Sequence, residues 1–513
     1  MTPLSDAAQR QEALTPEQSF IVQAPAGAGK TELLIQRFLV LLARVDAPEE
    51  VLAITFTRKA AAEMRSRILE AIEKSAGPEP SEAHERQTWA LGREVMLRDQ
   101  SLGWSILNNP SRLRVQTIDS FCAFLARQMP WLSKFGTDIE LVEYADEYYR
   151  YAARQCLKQL DFKENRALET LLVLRDNDVG KLENLLVAML RKRDQWLRHS
   201  THGEDGEARL RRVLDASLKA LSEESLERCA GQWPTGIREE MLALVTWAAE
   251  NLKAQASQSP IVGFEVMPEQ KLESMSSWHA MAELFLSQKG LPRKKVDKRQ
   301  GFPAAGKDTS AEEQELFKAQ KKRFMDLSSI LQSEVAFCES LHALRELPPL
   351  SYSEEQWAVL RSTFELLNHA EAELRVVFSH EGKTDFVAVA LAAITALGDE
   401  GRPTDLALAL DYKIQHILVD EFQDTSFTQF ELLKRLVAGW EEKDARTLFL
   451  VGDPMQSIYR FREAEVGLFL RVQKEGLGIV RLKPLRLNTN FRSTPNLVTW
   501  VNEVFCDVFP QEA

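Results

Sequence analysis

The octapeptide Ala24-Pro25-Ala26-Gly27-Ala28-Gly29-Lys30-Thr31 has the residue types and spacing of a loop that holds phosphate. It lies between an apolar run, SFIVQ, and an amphipathic stretch, KTELLIQRFLVLLAR, so a strand should enter the loop and a helix leave it. Small residues let backbone N–H groups close around phosphate oxygens, and the N-terminus of the following helix favours negative charge. In that setting Lys30 would reach the outer phosphates and Thr31 would ligate Mg²⁺. Ala24 stands where such loops usually begin with glycine. Much later, Ile417-Leu418-Val419-Asp420-Glu421 ends an apolar run with two adjacent acids. Phosphoryl transfer needs a carboxylate to hold Mg²⁺ and a group to position the attacking water; Asp420 suits the first role and Glu421 the second. Val451-Gly452-Asp453-Pro454-Met455-Gln456 closes another apolar run with an amide, Gln456, able to sense a γ-phosphate or a water near it. Tyr459 and Phe461 follow, where aromatic rings could stack on bases. Phe491 and Arg492, in Thr489-Asn490-Phe491-Arg492-Ser493, pair a ring suited to an adenine face with a guanidinium suited to phosphate.

The elements that must position these residues fall into three textures. From about Ser19 to Arg127, short β-rich runs (SFIVQ, VLAITF, LRVQTI) alternate with helical patterns, and Ala61, Met64, Ile68 and Ile72 recur at helical spacing. Such alternation predicts βαβ units and a parallel sheet. From about Met129 to Lys383 the chain is rich in Leu, Ala, Glu, Arg and Lys with almost no strand signal, which predicts a mainly helical block. The β/α texture then returns: KIQHILVDEF and RTLFLVGD read as strands, and DFVAVALAAITAL, FTQFELLKRLVAGW and PNLVTWVNEVFCDVF as helices. The fold class is therefore α/β, one domain over 1–128 and 384–513 interrupted by a helical insertion over 129–383.

Composition narrows the function class. At ~150 residues per domain, 513 residues suggest about three units, and 44% hydrophobic with 27% charged residues fits a folded soluble protein. The longest clean apolar stretch, Phe386–Leu397, is shorter than the ~20 residues needed to cross a bilayer, and the polar N-terminus predicts no secretory signal. The five cysteines lie too far apart for a zinc knuckle or disulfide framework, so a reducing cytoplasm is expected. His416 reads as a packed strand residue, and Trp89, Trp104, Trp131, Trp196, Trp233, Trp247 and Trp278 read as core. A net charge of −12 argues mildly against a small domain held to nucleic acid by counterion release. One run opposes that average: KGLPRKKVDKR, Lys289 to Arg299, sets Lys289, Arg293, Lys294, Lys295, Lys298 and Arg299 against Asp297.

APAGAGKT, TFTRKAAAEMRSRI, QTIDSFC, VDEFQDTS, VGDPMQSIYRFREAE and TNFRS occur in the order of the superfamily 1 DNA helicases of the UvrD/Rep type, and their wording most resembles the RecB and AddA branch, the helicase subunits of ATP-dependent exonucleases. The resemblance implies a RecA-like P-loop ATPase domain that uses ATP and Mg²⁺, a 3′-to-5′ DNA helicase of recombinational repair, and a partner exonuclease subunit. By position it makes Lys30, Thr31 and Asp420 the phosphate and Mg²⁺ ligands, Glu421 the catalytic base and Gln456 the γ-phosphate sensor. It sets Phe491 on adenine and Arg492 on the γ-phosphate. Thr55, Thr57, Arg58, Thr117, Ser120 and Phe121 would line a single-strand path with Tyr459 and Phe461, while Lys294, Lys295 and Lys298 would meet duplex phosphates. An upstream glutamine should read adenine; Gln11 fits the distance best, with Gln9 and Gln18 as alternatives. The chain departs from the family in having Phe461 where tryptophan is frequent and Phe491 where tyrosine is, and in stopping at Ala513, about twenty residues after Arg492. A second RecA-like domain and a nuclease domain are thus expected to be absent. A competing reading is a nucleotide- and DNA-binding module without turnover; a P-loop kinase or GTPase is disfavoured by the distance between Lys30 and Asp420.

Overall fold

Six short runs, apolar in the four central strands but not in β3 and β6, assemble into one parallel sheet: β1 (Phe20–Gln23), β2 (Val51–Thr55), β3 (Arg114–Thr117), β4 (His416–Val419), β5 (Thr447–Gly452) and β6 (Lys483–Arg486). This computed structural model describes residues 4–133, 139–159, 165–197, 199–200, 204–264, 268–304, 310–399, 401–441, 444–457 and 466–505. The strand order is β6-β1-β5-β4-β2-β3, and every neighbouring pair is parallel. Successive side chains of a strand point to opposite faces, so runs that are apolar throughout must be covered on both sides. Val22, Ala53, Val115, Leu418 and Val451 pack into one core, with the helices Lys30–Leu42 and Arg58–Lys74. Ile21, Ile54, Ile417, Val419 and Leu450 pack into the other, with Ile118–Gln128, Phe386–Leu397 and Phe427–Leu436.

The expected face of helix Arg58–Lys74 is the buried one: Ala61, Met64, Ile68, Ala71 and Ile72 all point inward. One element was not legible. The polar stretch HERQTWALGREVMLRDQSL forms a long helix, Ala83–Leu102, which crosses Arg58–Lys74 at Gly92. A Cβ there would lie 2.6 Å from the Ala71 carbonyl oxygen, so only glycine permits the crossing.

The chain divides into two compact units. The first comprises Met1–Asn165, Leu172–Arg198 and Leu366–Ala513, and the second Arg166–Leu171 and His199–Glu365. The boundaries expected at 128/129 and 383/384 thus fall inside the first unit, because helices such as Asp146–Gln159 and Val179–Arg191 pack with it. A buried ion pair helps hold them: Arg193 donates to Asp385 at 2.5 and 2.8 Å, and the Tyr149 hydroxyl donates to the same carboxylate at 2.5 Å. Asp385 also caps helix Phe386–Leu397 through the Ala388 N–H at 2.8 Å. The second unit is helical, with an aromatic core in which Trp233 and Trp278 lie 5.0 Å apart and Phe285 stacks on Phe324 at 5.8 Å.

Trp104, Trp196, Trp233 and Trp278 are buried, but Trp131 is 96% exposed, so its reading as core is corrected: it lies beyond the last buried turn of helix Ile118–Gln128. His416 is buried on β4 and shares a 2.8 Å hydrogen bond with Thr447, a packed strand residue as read. Cys122, Cys156, Cys229 and Cys338 are free and buried, while Cys506 lies outside the described residues. No described helix is long and apolar enough to cross a membrane.

Candidate active site

The chemistry gathers at the carboxyl ends of the strands, where open α/β sheets bind ligands. The loop after β1 turns through two left-handed glycines, Gly27 (φ 80°) and Gly29 (φ 74°), the second being the N-cap of helix Lys30–Leu42. The Ala24 N–H donates to Gly452 O of β5 at 2.9 Å, fixing the loop to the adjacent strand. The loop also meets the segment after β6. The Phe491 N–H donates to Gly27 O at 2.8 Å, and a Cβ on Gly27 would fall 2.6 Å from Asn490 Oδ1.

A cavity of about 390 Å³ opens above this loop, lined by Ala26, Gly27, Gly29, Lys30, Thr31, Glu32, Arg67, Glu421, Gln456 and Arg492. Residues read separately from four segments of the sequence thus share one cleft. Lys30 donates to both Glu421 oxygens, at 3.0 and 3.1 Å, in an ion pair the sequence does not announce. Glu421 itself adopts φ 50° at the start of a short 3-10 turn, a conformation uncommon for a side-chain-bearing residue and frequent at functional positions. Gln423 orients it, donating to Glu421 at 2.7 Å while accepting from the Asp453 N–H at 2.9 Å. Gln456 is tied to Asp453.

Asp420 does not line the cavity. Its carboxyl is pushed up to about 6, by burial first and by the adjacent Glu421 charge second, with Lys30 opposing. Two neighbouring acids, one resisting ionisation, are a donor set that a divalent cation would relieve. Among the described residues no group of three or more His, Cys, Asp or Glu could hold a metal. The set fits Mg²⁺, which commonly takes few protein ligands and completes its shell with phosphates and water.

The residues expected around a base lie beside the cleft. Phe491 is 57% exposed, with the Arg10 guanidinium 5.1 Å from its ring centroid. Arg10 is anchored to Asp6 at 2.9 and 3.0 Å and to Ala28 O at 2.7 Å, and Asp6 in turn accepts from the Asn488 and Thr489 N–H groups. Of the three candidate glutamines, Gln11 is exposed and accepts from Gln87, and Gln18 is exposed. Gln9 alone is partly buried, its Oε1 enclosed without a hydrogen-bond partner. Arg10, Glu32 and Arg67 carried no sequence signal for this role; Gln423 was visible only as part of VDEFQDTS.

A second cavity of the same unit, about 420 Å³, also lies past the strand ends, with Phe56, Asp119, Phe386 and Thr428 among its lining. Thr57 and Ser120 are exposed beside it in sequence, at the capped starts of two helices: Thr57 accepts from the Ala60 N–H and Thr117 from the Ser120 N–H, both at 3.1 Å. Arg58 is exposed too, whereas Thr55 and Thr117 are buried. Phe121 has no exposed surface and stacks on Phe124, so its expected place along an open path is corrected to packing within the core. Tyr459 and Phe461 lie outside the described residues. In the other unit, Lys294, Lys295 and Lys298 are exposed, while Arg293 turns inward to the carbonyls of Glu283, Leu284 and Leu286.

Comparison with known proteins agrees with this geometry. The family described as UvrD/REP helicase N-terminal domain matches residues 5–476. The chain is 25% identical, over 98% of its length, to the A-type subunit of the ATP-dependent helicase/nuclease of Desulfitobacterium hafniense, covering 36% of that protein. It is 26% identical to the protein of the same name from Lysinibacillus sphaericus (96% of the chain, 39% of the relative) and 28% identical to that from Moorella thermoacetica (96% and 34%). The chain thus spans a little over a third of the length of these curated relatives.

Proposed function

Since the chain belongs to the UvrD/REP helicase family, we propose that it is the ATP-binding portion of a 3′-to-5′ DNA helicase or translocase acting in double-strand break repair and recombination, paired with a further polypeptide of a helicase/nuclease. The observation that carries this reading is the single cleft joining Lys30, Thr31, Glu421, Gln456 and Arg492. Lys30 and the loop amides bind the phosphates, Glu421 takes the proton of the attacking water, Gln456 senses the γ-phosphate and Arg492 neutralises charge on it. Thr31 and Asp420 would hold Mg²⁺, which when bound supplies further neutralisation. Phe491 and Arg10 frame a base, and Gln9, rather than Gln11, reads it. DNA single strand follows Phe56, Thr57, Arg58 and Ser120, the rings of Tyr459 and Phe461 stack on its bases, and the exposed lysines of Lys289–Arg299 meet duplex phosphates.

A second reading is a nucleotide- and DNA-binding module without turnover of its own, in which Glu421 stays paired with Lys30, as their 3.0 Å contact has it. Calorimetry with Mg-ATP tests what both share: Lys30→Ala should weaken binding at least tenfold, since a charge-assisted hydrogen bond contributes ~1.5–3 kcal/mol. Equal affinity would sink the nucleotide site. Steady-state hydrolysis by the 513-residue chain, with and without single-stranded DNA, separates the two readings. Slow, unstimulated turnover marks the module, and DNA-stimulated turnover the motor.

A further inference from the structure

The first helix, Ala7–Glu12, buries none of its side chains, so apolar packing does not dock it. Its N-cap residue, Asp6, is fully buried, yet the carboxylate accepts nothing from the N–H groups of the helix it starts, the usual use of an aspartate there. It gathers donors from two segments instead. From the helix, Arg10 Nε donates to Oδ1 at 2.9 Å and Nη2 to Oδ2 at 3.0 Å, a bidentate pair that fixes the plane of the guanidinium. From the turn after β6, the Asn488 and Thr489 N–H groups donate to Oδ2 at 2.9 and 3.0 Å, and the Thr489 hydroxyl donates to Oδ1 at 2.8 Å. Burial alone would push the Asp6 carboxyl up. The bonds from Arg10, Thr489 and Asn488 outweigh it and hold the group below its usual range, an anion at neutral pH. Each segment carries one part of the base end of the nucleotide cleft. The Arg10 guanidinium lies 5.1 Å from the Phe491 ring centroid and donates to Ala28 O of the phosphate loop at 2.7 Å, and Phe491 follows Thr489 by two residues.

We propose that Asp6 is a positioning residue for nucleobase recognition: one carboxylate holds both Arg10 and the chain that leads to Phe491, so that guanidinium and ring form a single preset platform for the base. The inference rests on the reading of the cleft as an ATP site and adds to it a residue that does not line the cavity. An arginine on a free stem, or a ring on a loose turn, would lose conformational freedom on meeting a base, and that loss would be taken from affinity. Held by a fork, a carbonyl and two backbone bonds, they have lost it beforehand. Arg37 keeps the rest of the N-terminal segment in place independently, donating to Ala13 O at 3.1 Å and to Gln18 O at 2.9 Å. A change at Asp6 therefore loosens the platform and leaves the segment attached.

The test is calorimetry of the 513-residue protein with Mg-ATP and with Mg-tripolyphosphate, which offers the phosphates without a base. The wild-type protein should bind ATP more tightly by about tenfold or more. Asp6→Asn, which keeps the shape and removes the charge, should lower ATP affinity about tenfold, the worth of roughly one charge-assisted hydrogen bond, and leave tripolyphosphate affinity unchanged. Thr489→Val removes one neutral donor and leaves the Asp6–Arg10 pair intact. It should lower ATP affinity about threefold, again without moving tripolyphosphate. A loss shared equally by both ligands in both variants would make Asp6 a purely structural residue and overturn the proposal, as would an ATP affinity that neither variant moves. Equal binding of the two ligands by the wild-type protein would overturn the platform while the phosphate site stands. Failure to bind either ligand would overturn the nucleotide reading with it.

Discussion

Around the nucleotide cleft, cations are largely spoken for: Lys30 rests on Glu421, Arg67 on Glu32 at 2.7 Å and Arg10 on Asp6 at 2.9 Å. In the helical unit, Lys289, Lys294, Lys295, Lys298 and Arg299 have no carboxylate partner among the described residues. The two arrangements select differently. A paired cation accepts only a ligand that outcompetes its internal anion, which demands close geometric fit. Unpaired surface cations bind a polyanion by releasing counterions, with little regard for its shape and with strong dependence on salt. On the proposed function, one unit would discriminate among small anions, and the other would supply adhesion to a long one.

The sharpest way to break this comparison is to remove the internal anion. Glu421→Gln should lower turnover by ~10²–10⁴-fold, the usual contribution of a general base, in steady-state hydrolysis by whichever assembly turns over. Because the amide no longer holds Lys30, ATP affinity measured by calorimetry should stay equal or rise. A large fall in affinity would show that Glu421 is needed for binding and that pairing is not a barrier.

Independence of the units can be tested next. Gly301 has φ 78°, and a Cβ on it would run into the Ala248 backbone of the neighbouring helix. Gly301→Ala should destabilise the helical unit by on the order of 2–3 kcal/mol. In calorimetric melting, one transition should fall while the stabilisation given by ATP persists in the other. Replacing Lys294, Lys295 and Lys298 by Gln should flatten the slope of log affinity for duplex against log salt by about 2–3 and leave ATP affinity unaltered.

The smallest effect concerns the sheet. His416 is held well below its usual range, at about 3, by burial first and then by the charges of Arg37 and Arg44. The unfolded chain takes up a proton near pH 6.5, and the folded chain resists until about pH 3. Stability present above pH 6.5 is therefore lost as pH falls through that window. His416→Asn should remove about 1 kcal/mol of this loss at pH 5.5, seen as a shallower acid limb in urea melts.

Strands β1, β2, β4 and β5 were legible because they are nearly continuous apolar runs, and the phosphate loop because its neighbours in sequence are its neighbours in space. The edge strand β6, Lys483-Pro484-Leu485-Arg486 with Leu485 alone buried, carried no strand signal. Phe121 shows the limit. It follows Thr117 in a motif associated with DNA, but its place on the helix points it into the core, and only packing reveals that. Arg10, Glu32 and Arg67 act through contacts with segments distant in sequence, so no local pattern marks them. Distance in sequence favoured Gln11, whereas Gln9 is the one whose Oε1 is enclosed without a hydrogen-bond partner, a difference visible only in the fold.

The close joint between Gly27 and the segment 490–492 has a mechanical consequence. Asn490 Oδ1 accepts from the N–H groups of Arg492 and Ser493 at 2.8 and 3.1 Å, while Phe491 is bonded to Gly27 O. The phosphate loop and this turn are therefore one stiff part, without slack for either to shift alone. Helix Pro495–Phe505 springs directly from the turn and has no buried side chain. A side chain in place of Gly27 would have to part the loop from Asn490 and Arg492, so neither segment can be varied without the other.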